Sequence, residues 1–266
     1  VSDVPICMFL SGGVDSSLVY SQALMHKPEM EAFTISYKNY KNDESEFAKQ
    51  VASSLSGKLN IVDMNAQQFS DSAESMLSMI DEPVADYAIL PTFKLAKKAS
   101  QDFKVALTGE GGDELFGGYG RYISHMRPLI KKKKYFKGSF RKLDYLQPKL
   151  KGWNFDLDRV EKNILNLPIS NLQRFQWFDY QNWLPNDLLV KLDRCLMTYG
   201  MEGRTPLVDK KVFESFFFLS DKNKISNGYG KFFIRNFLKN KLDFYDSFKK
   251  KKGFTVPIEN WIPEKR

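Results

Sequence analysis

The pattern of apolar and polar residues divides the chain into two halves. In the first half, short apolar runs alternate with stretches that have helical spacing. The runs predict strands at 4–10, 31–37, 59–64 and 103–109, and the intervening stretches predict helices at 16–26, 43–57, 70–80 and 90–100. Strands that alternate with helices are typical of a parallel sheet with right-handed crossovers.

The second half is helical and aromatic in pattern, and no strand is predicted beyond residue 120. Helices are predicted at 171–184, 187–200, 209–220 and 231–242. A lysine-rich stretch at 131–152 has weak periodicity and is interpreted as an irregular connection. We therefore expect an α/β core over 1–120 and a mostly helical part over 121–266.

Composition narrows the classes of partner. The 266 residues are 42% hydrophobic, enough for a sizeable core, and the net charge of +8 favours anionic partners. No aromatic-interleaved RNA-binding motif accompanies the lysines, so we expect nucleotides and no nucleic acid.

Cys7 and Cys195 form no CxxC motif, which favours a reducing cytoplasm, and two scattered histidines do not indicate a zinc site. The apolar run at 4–10 is too short to span a membrane and has no basic leader, so neither anchor nor signal peptide is expected.

The sequence SGGVDSS follows the first predicted strand at 11–17. Two glycines allow a tight turn and close approach of the backbone to a ligand, and the amides that open the next helix favour an anion. The carboxylate in this loop is compatible with phosphate if Mg²⁺ lies between them. A simple capped turn is the alternative, but it explains one polar residue and not the cluster. The candidate phosphate-binding residues are Ser11, Gly12, Gly13, Asp15, Ser16 and Ser17.

A second glycine-rich acidic turn, TGEGGDELFGGY at 108–119, follows the fourth predicted strand. Because parallel strands end at the same sheet edge, both turns are expected to face one crevice. Gly109 is a candidate nucleotide-binding position and Asp113 a candidate second Mg²⁺ ligand. Glu110 is a candidate proton acceptor or ligand of a substrate amine. The alternative, that these acids only favour a helix start, does not require five glycines within ten residues.

These motifs resemble a known family. SGGVDSS is similar to the pyrophosphate loop of the N-type ATP pyrophosphatases, and TGEGGDELFGGY resembles the GEGxDELFGGY motif of the asparagine synthetases. WLPNDLLVKLDRCLMTYGMEGRTPLVD, GYGKFFIRNFL and KKKGFTVPIENWI resemble further segments of that family in the same order. The resemblance implies an adenine-nucleotide alpha hydrolase-like, Rossmann-like α/β core with helices on both faces. It also implies ATP and Mg²⁺ as cofactors, and a reaction in which aspartate is adenylylated and ammonia yields asparagine.

The resemblance also implies roles for residues outside the two turns. The backbone near Ile35 and Ser36 is expected to hold adenine, and Lys231 to neutralise the α-phosphate during transfer. Glu202 and Arg204 are expected to line the path of ammonia, or else to form a buried structural pair. In the family, ammonia comes from a separate N-terminal glutaminase domain with a cysteine nucleophile, and Cys7 within a buried strand is a poor substitute. We therefore interpret the chain as the synthetase part of a longer protein, with a homodimer left open.

Three alternatives remain at this point. A family member could act on another carboxylate, as a β-lactam-forming synthetase or an amidotransferase does. An RNA-thiolating pyrophosphatase would suit the basic charge, although TGEGGDELFGGY speaks against it. A nucleotide-binding module without turnover is the third. Leu207, Val208, Cys195 and Gly203 depart from the family pattern, which leaves another acceptor open.

Overall fold

The structure is a computed structural model. It describes residues 2–37, 40, 43–78, 80, 81, 84, 86–126, 155–243, 245–249, 256, 257 and 261. The predicted irregular connection at 131–152 and most of the KKKGFTVPIENWI segment lie outside these residues.

A parallel sheet forms the centre of the fold, as predicted. Its order is β3-β2-β1-β4-β5, and every neighbouring pair is parallel. The strands are β1 (Ile6–Phe9), β2 (Ala32–Tyr37), β3 (Leu59–Met64), β4 (Val105–Leu107) and β5 (Glu202–Arg204). The α/β class and the four strands of the first half are thus confirmed, with shorter bounds for three of them.

The fifth strand corrects the expectation that the second half contributes no strand. Glu202–Arg204 pairs with β4 through Val105–Glu202, Ala106–Gly203 and Leu107–Arg204. Three residues with two charged side chains carry no strand pattern, so pairing with β4 decides their conformation. A short antiparallel pair, β6 (Ile225–Ser226) and β7 (Tyr229–Gly230), was also not predicted.

Helices account for most of the remaining described residues. They are α1 (Val14–Ala23), α2 (Ser45–Ser54), α3 (Ala66–Leu77), α4 (Ile89–Ala99), α5 (Gly112–Phe116), α6 (Gly120–His125), α7 (Phe155–Leu165), α8 (Asn171–Gln181), α9 (Leu189–Met197), α10 (Lys210–Phe216), α11 (Asp221–Lys224) and α12 (Phe232–Lys241). A π-helical turn at Leu184–Leu188 precedes α9, and a 3₁₀ turn covers Pro206–Val208. None of the helices in the described part of the chain combines the length and apolar character needed to cross a bilayer.

Local capping explains one difference from the predicted helices. The periodicity predicts a start at residue 70, whereas α3 begins at Ala66. The Asn65 side chain accepts the Gln68 amide at 2.9 Å, and the Gln68 side chain accepts the Asn65 amide at 3.2 Å. This reciprocal pair satisfies two amide groups at the helix start and adds a polar first turn that periodicity does not reveal.

The chain divides into two compact units that are discontinuous in sequence. The first comprises Val1–Glu110, Asp187–Asp209 and Ile234–Arg266, and the second comprises Gly111–Asn186 and Lys210–Phe233. This division differs from the predicted boundary near residue 120, because β5 and the helix before it pack with the sheet. The first unit is built on the sheet core, which includes Phe33, Ile35, Phe93, Ala106, Leu192 and Cys195. The second has its own cluster of Tyr122, Ile164, Leu172, Phe175, Phe178 and Ile225.

Candidate active site

The two glycine-rich turns follow neighbouring strands of the first unit. β1 pairs with β4 in parallel, with Met8 opposite Leu107, so SGGVDSS and TGE begin at the same edge of the sheet. The chain runs outward from β1 through β2 to β3, whereas β4 and β5 lie on the other side of β1. Open parallel sheets bind ligands at such a point, beyond the carboxyl ends of the strands.

Hydrogen bonds among its own residues define the first turn. The Ser16 hydroxyl donates to the Gly13 carbonyl at 3.0 Å and lies 3.1 Å from the Ser11 hydroxyl. The Gly13 amide donates to Ser11 Oγ at 3.3 Å. Gly13 is the N-cap of α1, and no side chain caps this helix. The serines therefore shape the loop, and the alternative of a turn capped by Asp15 or a serine side chain is wrong.

The second turn contacts the first through Gly109. A Cβ atom added to Gly109 would lie 2.7 Å from the Ser16 amide nitrogen and 3.0 Å from the Asp15 carbonyl carbon. Gly12 likewise has its backbone against α2, since an added Cβ would lie 2.6 Å from the Ala48 nitrogen. Main chain therefore lies directly on main chain around the turn, which only glycine allows at these contact distances.

Two buried hydroxyl groups flank this contact. Ser17 is fully buried and Thr108 is 6% exposed. Neither Ser17 Oγ nor Thr108 Oγ1 has a hydrogen-bond partner among the described residues. A buried hydroxyl without a partner is unfavourable, and an anionic oxygen would satisfy it. The turn thus fits the oxygens of a phosphate chain.

The predicted adenine-binding positions lie on β2, near the same sheet edge. Ile35 is buried, and the Ser36 hydroxyl donates to Asp43 at 2.8 Å. Asp43 also accepts the amides of Tyr37 and Ser45. The Ser36 side chain is therefore engaged within the protein, and a base would have to be read by the main chain, as expected from the sequence.

Tyr245 is a loop contact that the sequence analysis missed. Its hydroxyl donates to the Gly12 carbonyl at 2.9 Å, and its side chain is buried. The bond joins residues far apart in sequence, so no local pattern indicates it. It fixes the orientation of one peptide group in the glycine turn.

Glu110 takes part in a cluster that the sequence did not reveal. Lys191 on α9 donates to Glu110 Oε1 at 3.1 Å and to Asp86 Oδ2 at 2.7 Å. Burial by itself lowers the pKa of Lys191, but the charges and hydrogen bonds of Glu110 and Asp86 outweigh it and raise the pKa above its ordinary value. Lys191 is therefore a permanent cation at neutral pH. A lysine on the apolar face of a helix, one turn before Cys195, is the signal that could have identified it.

Asp113 and Lys231 belong to the second unit and contact each other. Lys231 Nζ lies 2.7 Å from Asp113 Oδ1, and the Lys231 side chain is 2% exposed. Lys231 itself has a left-handed backbone, with φ of 57°, and its amide donates to the Phe116 carbonyl at 3.1 Å. A Cβ on Gly118 would lie 2.0 Å from Asp113 Oδ1 and 2.1 Å from Lys231 Cε, so this glycine gives the pair its space.

A buried polar network supports the helix that carries Asp113. Gln176 Nε2 donates to the carbonyls of Glu114 and Leu115 at 2.6 and 2.7 Å. Lys224, which is fully buried, donates to Gln176 Oε1 at 2.9 Å and to the Phe217 carbonyl. The Glu114 and Leu115 carbonyls lie near the end of a short helix, where they lack a partner within the helix, and the Gln176 side chain from α8 satisfies both.

Glu202 and Arg204 form an ion pair on β5. Arg204 Nε donates to Glu202 Oε1 at 2.7 Å, and a second bond of 3.1 Å joins Arg204 Nη2 to Oε2. The Glu202 side chain is 57% exposed and that of Arg204 is 35% exposed. The expectation of a buried structural pair is therefore wrong. A role in the path of ammonia stays a prediction.

Asp15 and Asp113 are the residues predicted to bind Mg²⁺. Among the described residues, no three His, Cys, Asp or Glu side chains are grouped closely enough to hold a metal ion. Mg²⁺ is commonly held by one or two carboxylates together with substrate phosphates. Asp15 in the first unit and Asp113 in the second are carboxylates of this type, and both stay predicted ligands.

Cys7 is expected from the sequence to be a poor nucleophile, and its position agrees with this expectation. Cys7 is buried in β1, and burial raises the pKa of its thiol to about 12. A thiol with such a pKa is not a nucleophile at neutral pH.

Comparisons with known proteins place these motifs in context. Residues 1–266 match the family model described as asparagine synthase. The glutamine-hydrolysing asparagine synthetase 1 of Bacillus subtilis is 29% identical over 98% of this chain and 48% of its own length. The glutamine-hydrolysing asparagine synthetase 3 of the same organism is 24% identical over 80% of this chain and 39% of its own. The glutamine-hydrolysing asparagine synthetase 3 of Arabidopsis thaliana is 33% identical over 45% of this chain and 22% of its own. The chain spans about half the length of the first of these relatives.

Proposed function

The chain belongs to the asparagine synthase family, and on that premise we propose that it is a ligase that makes asparagine. ATP activates the side-chain carboxylate of aspartate, pyrophosphate leaves, and ammonia converts the activated carboxylate into the amide with release of AMP. The ammonia comes from glutamine through a glutaminase domain of the full-length protein. Its curated relatives are named as glutamine-hydrolysing synthetases, which supports this source.

One observation carries the proposal beyond family membership. Two glycine-rich turns end neighbouring parallel strands, and the Gly109 backbone lies against the Ser16 amide at the start of α1. The helix start, with the unpartnered Ser17 and Thr108 hydroxyls, supports binding of the β- and γ-phosphates. A carboxylate alone does not react with ammonia, because its leaving group would be oxide, so a phosphate site beside an acid-binding site is what the reaction needs.

In the first step, a carboxylate oxygen of aspartate forms a bond to the α-phosphorus. The bond from that phosphorus to the bridging oxygen breaks, and pyrophosphate is retained by Ser11–Ser17. Lys231 is the cation assigned to the charge that develops on the α-phosphate. It is paired with Asp113 in this structure, so its proposed action requires that it also reach the nucleotide.

In the second step, the ammonia nitrogen forms a bond to the acyl carbon and AMP leaves with the electron pair. The nitrogen must lose one proton on becoming an amide. Glu110 is assigned as its acceptor, because it is a carboxylate on the turn that touches the phosphate loop and its side chain is 26% exposed. Mg²⁺ held by Asp15 and Asp113 together with phosphate oxygens would supply charge neutralisation during the first step.

The proposal is tested by ATP–pyrophosphate exchange with different acids. Aspartate should drive exchange, and ammonium salt should then yield asparagine and AMP in equal amounts. Lys231→Met should lower the exchange rate at unchanged fold, measured by circular dichroism. Exchange that needs another carboxylic acid and not aspartate would refute the acceptor while keeping the chemistry. Release of ADP in place of AMP would refute the chemistry.

A further inference from the structure

Lys191 stands out among the charged residues of the first unit because it is enclosed with two carboxylates. Its side chain is 5% exposed, whereas those of Asp86 and Glu110 are 25% and 26% exposed. The ammonium group thus lies on the inner side of the cluster and both carboxylates reach toward solvent. With one cation and two anions, the cluster carries a net charge of −1.

Stability alone is a poor reason for such a cluster. Taking an ammonium group out of water is unfavourable, and an apolar residue of similar size commonly gives equal or greater stability at such positions. Leu192 and Cys195 on the same helix show that apolar side chains fit this interface. A buried lysine here is therefore better explained by what it does to the carboxylates.

Two helices fix the position of the lysine and its partner. Asp86 Oδ1 accepts the Ala88 amide at 2.9 Å where α4 begins, while Oδ2 accepts Lys191. α9 carries Lys191, and Cys195 on the same helix contacts the Ile89 carbonyl of α4 at 3.4 Å. Asp86 and Lys191 are thus both anchored to packed helices.

Glu110, by contrast, lies on a turn. In the described part of the chain, the hydrogen bond it accepts comes from Lys191 to Oε1, and Oε2 has no protein donor. Its carboxylate is therefore oriented by α9 and not by its own loop. This leaves one oxygen available to a substrate.

We propose that Lys191 is a positioning residue for the amide-forming step, and that Asp86 holds it in place. This inference rests on the proposed function and assigns to it two residues outside the glycine turns. Lys191 fixes the direction of the Glu110 carboxylate, so that it faces the proton that the attacking nitrogen loses. Asp86 accepts a second hydrogen bond from Lys191 and so holds the ammonium group in place beside Glu110.

The experiment compares two rates in the full chain. One is aspartate-dependent ATP–pyrophosphate exchange, and the other is asparagine formation from ammonium salt. Lys191→Met should lower asparagine formation by about 10²-fold, the effect typical of a misplaced reacting group. Exchange and the KM for ATP should change by about twofold or less, because the phosphate loop is untouched. Lys191→Arg, which keeps a cation, should recover most of the lost rate, and Asp86→Asn should lower it about tenfold.

Matched controls separate positioning from folding. Lys58→Met removes an exposed lysine that is paired with Glu31, and it should leave both rates unchanged. If Lys191→Met does not fold, Asp86→Asn still tests the inference, because it must lower asparagine formation more than exchange.

Equal losses in both rates, or an unchanged ratio of the two in every variant, would overturn the positioning role. A wild-type chain without aspartate-dependent exchange would overturn the proposed function and this inference with it. The two outcomes can be told apart, because only failure of the proposed function is seen in the wild-type chain.

Discussion

Gly109→Ala is the sharpest perturbation of the contact between the two turns. The added Cβ would lie 2.7 Å from the Ser16 nitrogen, 3.0 Å from the Asp15 carbonyl carbon and 3.1 Å from Asp15 Cβ. Carbon atoms in ordinary contact are about 3.5–4.0 Å apart. The neighbouring atoms are backbone or the first side-chain atom, so no rotamer change can relieve the overlap. Gly109 does not have a positive φ, and contact alone therefore causes the strain.

The expected magnitude follows from this overlap. Separating the turns requires a main-chain shift of roughly 1 Å, and overpacking of this kind destabilises a protein by about 1–3 kcal/mol. A shift of that size at a phosphate site lowers activity by about 10²-fold even where the fold survives. We therefore expect Gly109→Ala to lose nucleotide binding before it loses its fold.

The assay combines urea unfolding with equilibrium binding of an ATP analogue. Gly120→Ala is the matched control, because an added Cβ there meets nothing within 4 Å and the residue lies in α6. It should bind nucleotide normally and be as stable as the wild type or more so, since alanine favours a helix. Normal nucleotide affinity and stability in Gly109→Ala would refute the claim that the turns meet through their main chains.

Three further changes test other contacts. Tyr245→Phe removes the hydrogen bond to the Gly12 carbonyl in the first turn. This change should reduce the free energy of unfolding by about 0.5–1.5 kcal/mol and weaken ATP binding. Unchanged ATP affinity in equilibrium dialysis would contradict this expectation. Burial lowers the pKa of Lys224 from its ordinary value of 10.5 to about 8, although the negative charge of Asp221 acts to raise it. Between these pH values the unfolded chain holds a proton that the folded chain has released, so this group makes stability rise with pH by roughly 1 kcal/mol per pH unit. Lys224→Met should lose that rise in urea unfolding from pH 7 to 10, and equal slopes would count against it. Gly118→Ala should separate Asp113 from Lys231, lowering the exchange rate far more than the unfolding midpoint, and the reverse pattern would argue for a purely structural pair.

Much of the first unit could be predicted because its information is local. Short apolar runs predicted β1 to β4, and the glycine-rich turns were evident from the sequence. β5 could not be predicted, because Glu202–Arg204 becomes a strand only through β4. The bond from Lys191 to Glu110 likewise joins residues on separate elements, and although Lys191 lies on the apolar face of its helix, nothing in that segment indicates its partner. Long-range pairing of charged groups, unlike periodicity, leaves little trace in a single sequence.

The late position of β5 in the chain has a consequence during synthesis. β4 ends at Leu107, yet the strand that covers its outer edge begins only at Glu202. While the ribosome adds the intervening residues, the emerging sheet exposes the open edge of β4, which is a template for wrong pairing. Completion of the sheet therefore waits for a segment translated much later, and a nascent chain arrested before that point should be the form that chaperones hold.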